Sequence, residues 1–245
     1  MNTTAEMATD AHSSGPAHGT RSSGRNLLEA LAVVGVVAGG IVLLRAVGMS
    51  YYRGPIAIVG ALLLATCFMR MRGESWSQMG MAVPRRWRST IGHMCLAIFL
   101  IYLLVGLFQG LLLPLLGLPA PNLSGEASSR GDPVALILRL VVVAWGTAAF
   151  AEEMVARGFV MARLAAAFGD GRQGRVIAAV AQSILFGLGH FSQGGTGMLL
   201  TGLIGLIMAY VFYRAGRSLW PCILAHGAVD TLGLLLIYFG FLGGP

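Results

Sequence analysis

The chain has 245 residues, of which 56% are hydrophobic and only 11% charged, and its mean hydropathy is +0.75. A water-soluble domain carries about 25% charged residues, so this chain has too little polar surface for an ordinary cytosolic enzyme, a disordered regulator or a nucleic-acid-binding domain. The net charge of +7 does not restore the last of these, because all 17 basic residues are arginines concentrated between apolar runs, where a membrane protein encodes its orientation.

Residues 1–25 are rich in Ser, Thr, Gly and Ala without an apolar period, the composition of a disordered tail, and His12 and His18 belong to it. The run Leu27–Leu44 is too long for a signal-peptide core and is followed by no small-residue cleavage site, which reads as a retained anchor helix. A bilayer core takes about 20 apolar residues per helix. Seven segments approach that length: 27–44, 55–69, 91–113, 133–155 (with a continuation towards Phe168), 176–192, 196–213 and 219–239. The fold class is therefore all-α, a polytopic membrane bundle of about seven transmembrane helices. Residues 1–25 form a cytoplasmic tail and 26–245 the membrane-embedded domain.

Placing the N-terminus in the cytoplasm puts Arg21, Arg25, Arg70, Arg72, Arg85, Arg86, Arg88, Arg163, Arg172, Arg175, Arg214 and Arg217 inside, and only Arg45, Arg53 and Arg130 outside. That bias follows the positive-inside rule and sends the C-terminus outside. Arg139 and Arg157 fall within the fourth span, Arg139 without an assigned partner. The stretch Glu74–Arg88 reads as an interfacial segment, its Trp76 and Trp87 at headgroup level and its arginines near anionic lipid. Cys67, Cys95 and Cys222 are too few and scattered for a disulfide framework or a zinc cluster, and read as small buried hydrophobes.

Three acids, Glu152, Glu153 and Asp230, and two histidines, His190 and His226, lie deep in apolar sequence. Each ionisable group costs roughly 2.5–3.5 kcal/mol at mid-bilayer unless it meets a partner. Five on three helices point to a shared polar centre, whereas His93, near an interface, reads as a hydrogen-bonded packing residue. Helical spacing sorts them. Glu153 and Arg157 are four apart and share a face, the spacing of an intrahelical salt bridge. Glu152 is rotated about 100° away and is left free. Phe186 and His190, and His226 and Asp230, repeat the four-residue spacing on later helices.

In that order, Glu152-Glu153-x-x-x-Arg157, Phe186-x-x-x-His190 and His226-x-x-x-Asp230 resemble the motifs of the CPBP family, also called ABI. That family holds the type II CAAX prenyl endopeptidases and bacteriocin-processing or immunity proteins. The resemblance covers roughly residues 150–232, within a motif half spanning 133–239; the Trp76-x-x-Met79-Gly80-Met81 stretch is only loosely similar. It implies an α-helical intramembrane endopeptidase that cuts a membrane-associated peptide or protein, with or without a lipid modification. Glu152 would be the general base assisted by His190, with His226 and Asp230 at the scissile carbonyl and Glu153, Arg157 and Phe186 as structural support.

CAAX-type members carry Asn where this chain has Asp230. A carboxylate donates a hydrogen bond only when protonated, so Asp230 is left with three readings: a neutral donor, an orienter of His226, or a metal ligand. A water activated by glutamate, with no cofactor, is favoured over zinc held by Glu152, His190, His226 and Asp230, since the chain has no HExxH. The implied partners are membrane lipids and a membrane-bound substrate, with no nucleic acid, in the cytoplasmic membrane of a bacterium. The oligomeric state is unassigned. Two other functions fit the same residues: a non-catalytic immunity factor or regulatory scaffold, in which the polar cluster locks helices together, and a proton pathway, for which no inverted repeat is seen. The Gly194–Gly197 stretch lacks the lysine of a phosphate loop and reads as a tight turn beside the site.

Overall fold

A computed structural model describes residues 17–49, 52–125 and 130–242, with side chains from Ser22 onward. Seven long helices follow one another: α1 (Ala17–Ala46), α2 (Arg53–Met71), α3 (Trp87–Leu116), α4 (Pro133–Ala167), α5 (Arg172–Gly189), α6 (Gly194–Arg214) and α7 (Trp220–Tyr238). All but α5 are long and apolar enough to cross a membrane. The described residues form an all-helical integral membrane protein.

The expected spans recur with shifted ends. Residues 1–16 of the segment read as a tail lie outside the described set, but 17–25 are the first turns of α1. The extension has a reason in its side chains: Arg25 Nε donates to Glu29 at 2.9 Å, and Asn26 Oδ1 accepts from Arg72 Nη1 at 2.8 Å. α4 is a single rod as far as Ala167. Asp132 caps it by accepting from the Val134 and Ala135 amides, and Pro133, which needs no partner for a missing N–H, follows. α5 is less apolar because Gln182 and Ser183, both buried, turn a polar strip inward.

Packing sets up the site. α1 lies on α2 and on the C-terminal part of α4; α3 lies on α6 and α7; α4 crosses α7; and α5 and α6 form a tight hairpin. The hairpin closes at Gly187, where an added Cβ would stand 2.5 Å from the Met198 carbonyl and 3.1 Å from Gly202. The largest buried side chains include Phe159, Met161 and Met69.

Several local expectations change. Cys67 and Cys95 are exposed, as apolar side chains facing lipid are, and only Cys222 is buried. Trp76 turns inward and donates from Nε1 to Thr66 Oγ1 at 3.1 Å, because the short turn Ser77–Met81 tucks against α4 and the α6–α7 connection. Its neighbour Trp87 stays exposed, edge-on to Trp220. His93 accepts the bland reading, its Nδ1 lying 2.8 Å from the Ser89 carbonyl. Arg139 is buried and donates from Nη2 to the Gly125 carbonyl at 3.0 Å, tying α4 to the preceding loop.

A second polar cluster is absent from the sequence reading. Glu29 of α1 is buried and meets three arginines: Arg25, Arg72 at 3.0 Å and Arg163 at 3.0 Å. Arg163 also donates to Glu74. The network fastens the start of α1 to the ends of α2 and α4, so these arginines share one side of the bundle.

Candidate active site

The three motifs converge. Glu153 and Arg157 on α4, Phe186 and His190 at the end of α5, and His226 and Asp230 on α7 all line one interior cavity of about 100 Å³. A water needs only about 10–15 Å³ of such space. Ile101, Thr201, Ile204, Met208 and Val229 complete the wall.

Glu153 is the hub. Its side chain is 0% exposed, and its Oε1 accepts from Arg157 Nη1 at 3.0 Å and lies 2.9 Å from His226 Nδ1. The expected Glu153–Arg157 pair is thus present, with His226 added to it. On its far side, His226 Nε2 stands 3.6 Å from Asp230 Oδ2, so each ring nitrogen faces a carboxylate. The Arg157 guanidinium lies 4.3 Å over the Phe186 ring, which also packs against His190 and His226 at centroid distances of 4.9 and 6.3 Å. Phe186 is therefore a platform for three charged or polar groups.

His190 ends α5 with its Nδ1 2.8 Å from the Phe186 carbonyl oxygen. A carbonyl only accepts, so Nδ1 carries the proton and Nε2 keeps the ring's lone pair. The turn behind it is pinned: Gln193 N donates to the His190 carbonyl, the Gln193 carbonyl accepts from Asn122 N, and Gln193 Oε1 accepts from Thr201 Oγ1 at 3.3 Å.

Glu152 stands apart from Glu153, as its rotation on the helix requires. It is not among the lining residues, yet it lies within electrostatic reach of His226, Glu153 and Arg157. Its Oε2 is buried and has no hydrogen-bond partner. Glu152 ends a stretch of α4 wound with i→i+5 bonds, Arg139–Glu152, and Glu153 separates it from a second, Met154–Val160. Such winding is rare and concentrates at functional sites.

Sequence spacing missed Thr201, whose helix carries no repeating polar signal, and missed the clamp that sets α7. Trp145 of α4 donates from Nε1 to Thr231 Oγ1 at 3.1 Å and covers Gly227, where an added Cβ would stand 2.7 Å from its ring. Gly227 follows His226 directly, so this contact fixes the rotation that points His226 and Asp230 into the cavity.

Zinc on Glu152, His190, His226 and Asp230 has no matching ligand set. Among the described residues no three His, Cys, Asp or Glu side chains converge as ligands. Glu153 and the Phe186 carbonyl already engage His226 Nδ1 and His190 Nδ1. Hydrogen bonds through Nδ1 orient both histidines.

The fold and cavity define a polytopic helical membrane protein with acid, base and cationic side chains gathered inside it. Residues 133–232, from the start of α4 into α7, match the family model described as type II CAAX prenyl endopeptidase Rce1-like. No curated protein and no solved structure matches the chain.

Proposed function

We propose that the chain is an intramembrane endopeptidase that hydrolyses a peptide bond in a membrane-associated peptide or protein, with or without a lipid modification. The observation that carries this reading is the gathering of His190, His226, Asp230 and Glu153 on one cavity, with the buried Oε2 of Glu152 unpartnered beside them. A helix-locking network would be expected to satisfy its own members, whereas Glu152 keeps a free acceptor.

The chemistry needs no bound cofactor. Glu152, with the Nε2 lone pair of His190, accepts a proton from water as the water oxygen bonds to the scissile carbonyl carbon. The carbonyl oxygen becomes an oxyanion facing His226. The carbon–nitrogen bond then breaks, the nitrogen takes the proton from Glu152, and acid and amine products leave. Glu153, held by Arg157, orients His226, and Asp230 faces the other ring nitrogen. Glu152 is preferred over Glu153 as the base because Glu153 Oε1 already accepts from two donors.

The remaining assignments rest on sequence. The N-terminus faces the cytoplasm and the C-terminus the outside of a bacterial cytoplasmic membrane, with residues 26–245 acting as one membrane domain; the arginine bias supports this topology. The partners are lipids and the membrane-bound substrate.

The test compares membrane peptidomes from cells expressing the wild-type chain and Glu152→Gln at equal membrane levels. Peptide products lost in the variant support the reading and name the substrate. Identical peptidomes overturn it and leave the scaffold reading.

A further inference from the structure

Arg157 carries unused chemistry. It is 0% exposed, lines the cavity and gives only Nη1 to Glu153, while its Nε and Nη2 are buried with no hydrogen-bond partner. Glu153 Oε2 is likewise unpartnered. Arg and carboxylate commonly pair through two parallel bonds. Here the bond is single, because Arg157 and His226 converge on the same oxygen. The guanidinium therefore keeps donors in reserve, at a site where a buried, unsatisfied N–H is costly.

The other wall groups are poorly supplied with donors. His190 commits Nδ1 to the Phe186 carbonyl, Thr201 commits its hydroxyl to Gln193, and His226 commits Nδ1 to Glu153 and turns Nε2 to Asp230. Asp230, standing where an amide would donate, accepts when ionised. Arg157 is always charged and never loses its donors.

We propose that Arg157 is a catalytic residue: its guanidinium donates a hydrogen bond to the oxyanion of the tetrahedral intermediate, supplying the donor that Asp230 withholds. This rests on the endopeptidase reading. No bond to Arg157 forms and no proton leaves it. The negative charge that develops on the carbonyl oxygen meets a fixed cation in a dry cavity, the arrangement in which such stabilisation is largest. The competing account is structural, with the free nitrogens held against the Phe186 ring and serving only to place Glu153.

The experiment uses the full chain in proteoliposomes and a quenched fluorogenic peptide ending in a prenylated Cys-aliphatic-aliphatic-X sequence, alongside the peptides lost in the Glu152→Gln comparison. Arg157→Lys keeps the charge facing Glu153 but removes the fork. Its kcat is expected to fall about 100- to 1,000-fold, the usual loss for an oxyanion donor, with KM and melting temperature near wild type. In Arg157→Ala, added guanidinium ion is expected to restore kcat without restoring the melting temperature. Should these variants fail to fold, Glu153→Gln/Arg157→Gln strands no buried charge, and it is compared with Glu153→Gln alone. A further loss of kcat of about tenfold or more supports the proposal.

A wild-type chain that cleaves while Arg157→Lys cleaves equally well overturns the inference alone, as does recovery of activity only in step with the melting temperature. A double variant no slower than Glu153→Gln does the same. A wild-type chain that cleaves none of these peptides overturns the endopeptidase reading, and this inference falls with it.

Discussion

His226 Nδ1 and Arg157 Nη1 lie 2.9 and 3.0 Å from the same oxygen, Oε1 of Glu153. One carboxylate thus links the cation on its own helix to a histidine on α7, 73 residues later in the chain. Removing that carboxylate leaves Arg157 buried without a counter-charge. Glu153→Ala is expected to lose about 3–5 kcal/mol of stability, the usual cost of breaking a buried pair from one side. Thermal unfolding in detergent measures it. A melting temperature unchanged from wild type would contradict the hub.

Asp230→Asn tests the other side of His226. An amide can both accept from His226 and donate towards a reacting carbonyl, so activity is expected to stay within about tenfold of wild type. Asp230→Leu, which offers His226 nothing, is expected to fall well below it. Equal loss in both variants would mean that the carboxylate charge itself is needed.

The Trp145 clamp acts at a distance from the chemistry. Gly227→Ala places a methyl about where the indole lies, and the expected result is reduced cleavage with intact membrane insertion, since the rotation of His226 and Asp230 changes. Thr231→Val removes the acceptor of the indole N–H together with the hydroxyl's own bond to the Gly227 carbonyl, and a cost of about 1–2 kcal/mol in stability is expected. If Gly227→Ala cleaves like wild type, the clamp does not position α7.

Metal dependence separates two chemistries directly. Cleavage is expected to survive extensive dialysis against a strong chelator, because in the proposed chemistry Glu152 and His190 activate the water. Loss of cleavage, with recovery on adding stoichiometric zinc, would replace the glutamate-activated water by a metal-bound one.

Periodicity carried far in this chain because the membrane leaves few ways to hide a charge. The four-residue spacings of Glu153/Arg157, Phe186/His190 and His226/Asp230 put each pair on one face, and all six residues line the cavity. The length of α4 and the bland role of His93 were legible for similar reasons. The buried cluster around Glu29 was not, because its members Arg72, Glu74 and Arg163 sit at helix ends, where a charge signals solvent as readily as burial. Thr201 and Trp145 look like ordinary members of apolar runs, and only packing against α5 and α7 gives them a place. The separation of Glu152 from Glu153 was legible from helical rotation, but the π winding of α4 around them has no sequence signature here.

The polar strip of α5 has a consequence for how the protein is made. A segment with Arg172, Gln173, Arg175, Gln182 and Ser183 partitions poorly into bilayer alone. Its route in is as a helical hairpin with the strongly apolar α6, sealed at Gly187 against Gly202. His190 rides at the tip of that hairpin, and His226 and Asp230 are made later, on α7. A chain synthesised only as far as α6 therefore holds His190 without His226 and Asp230, and the cavity is complete only once α7 has joined the bundle.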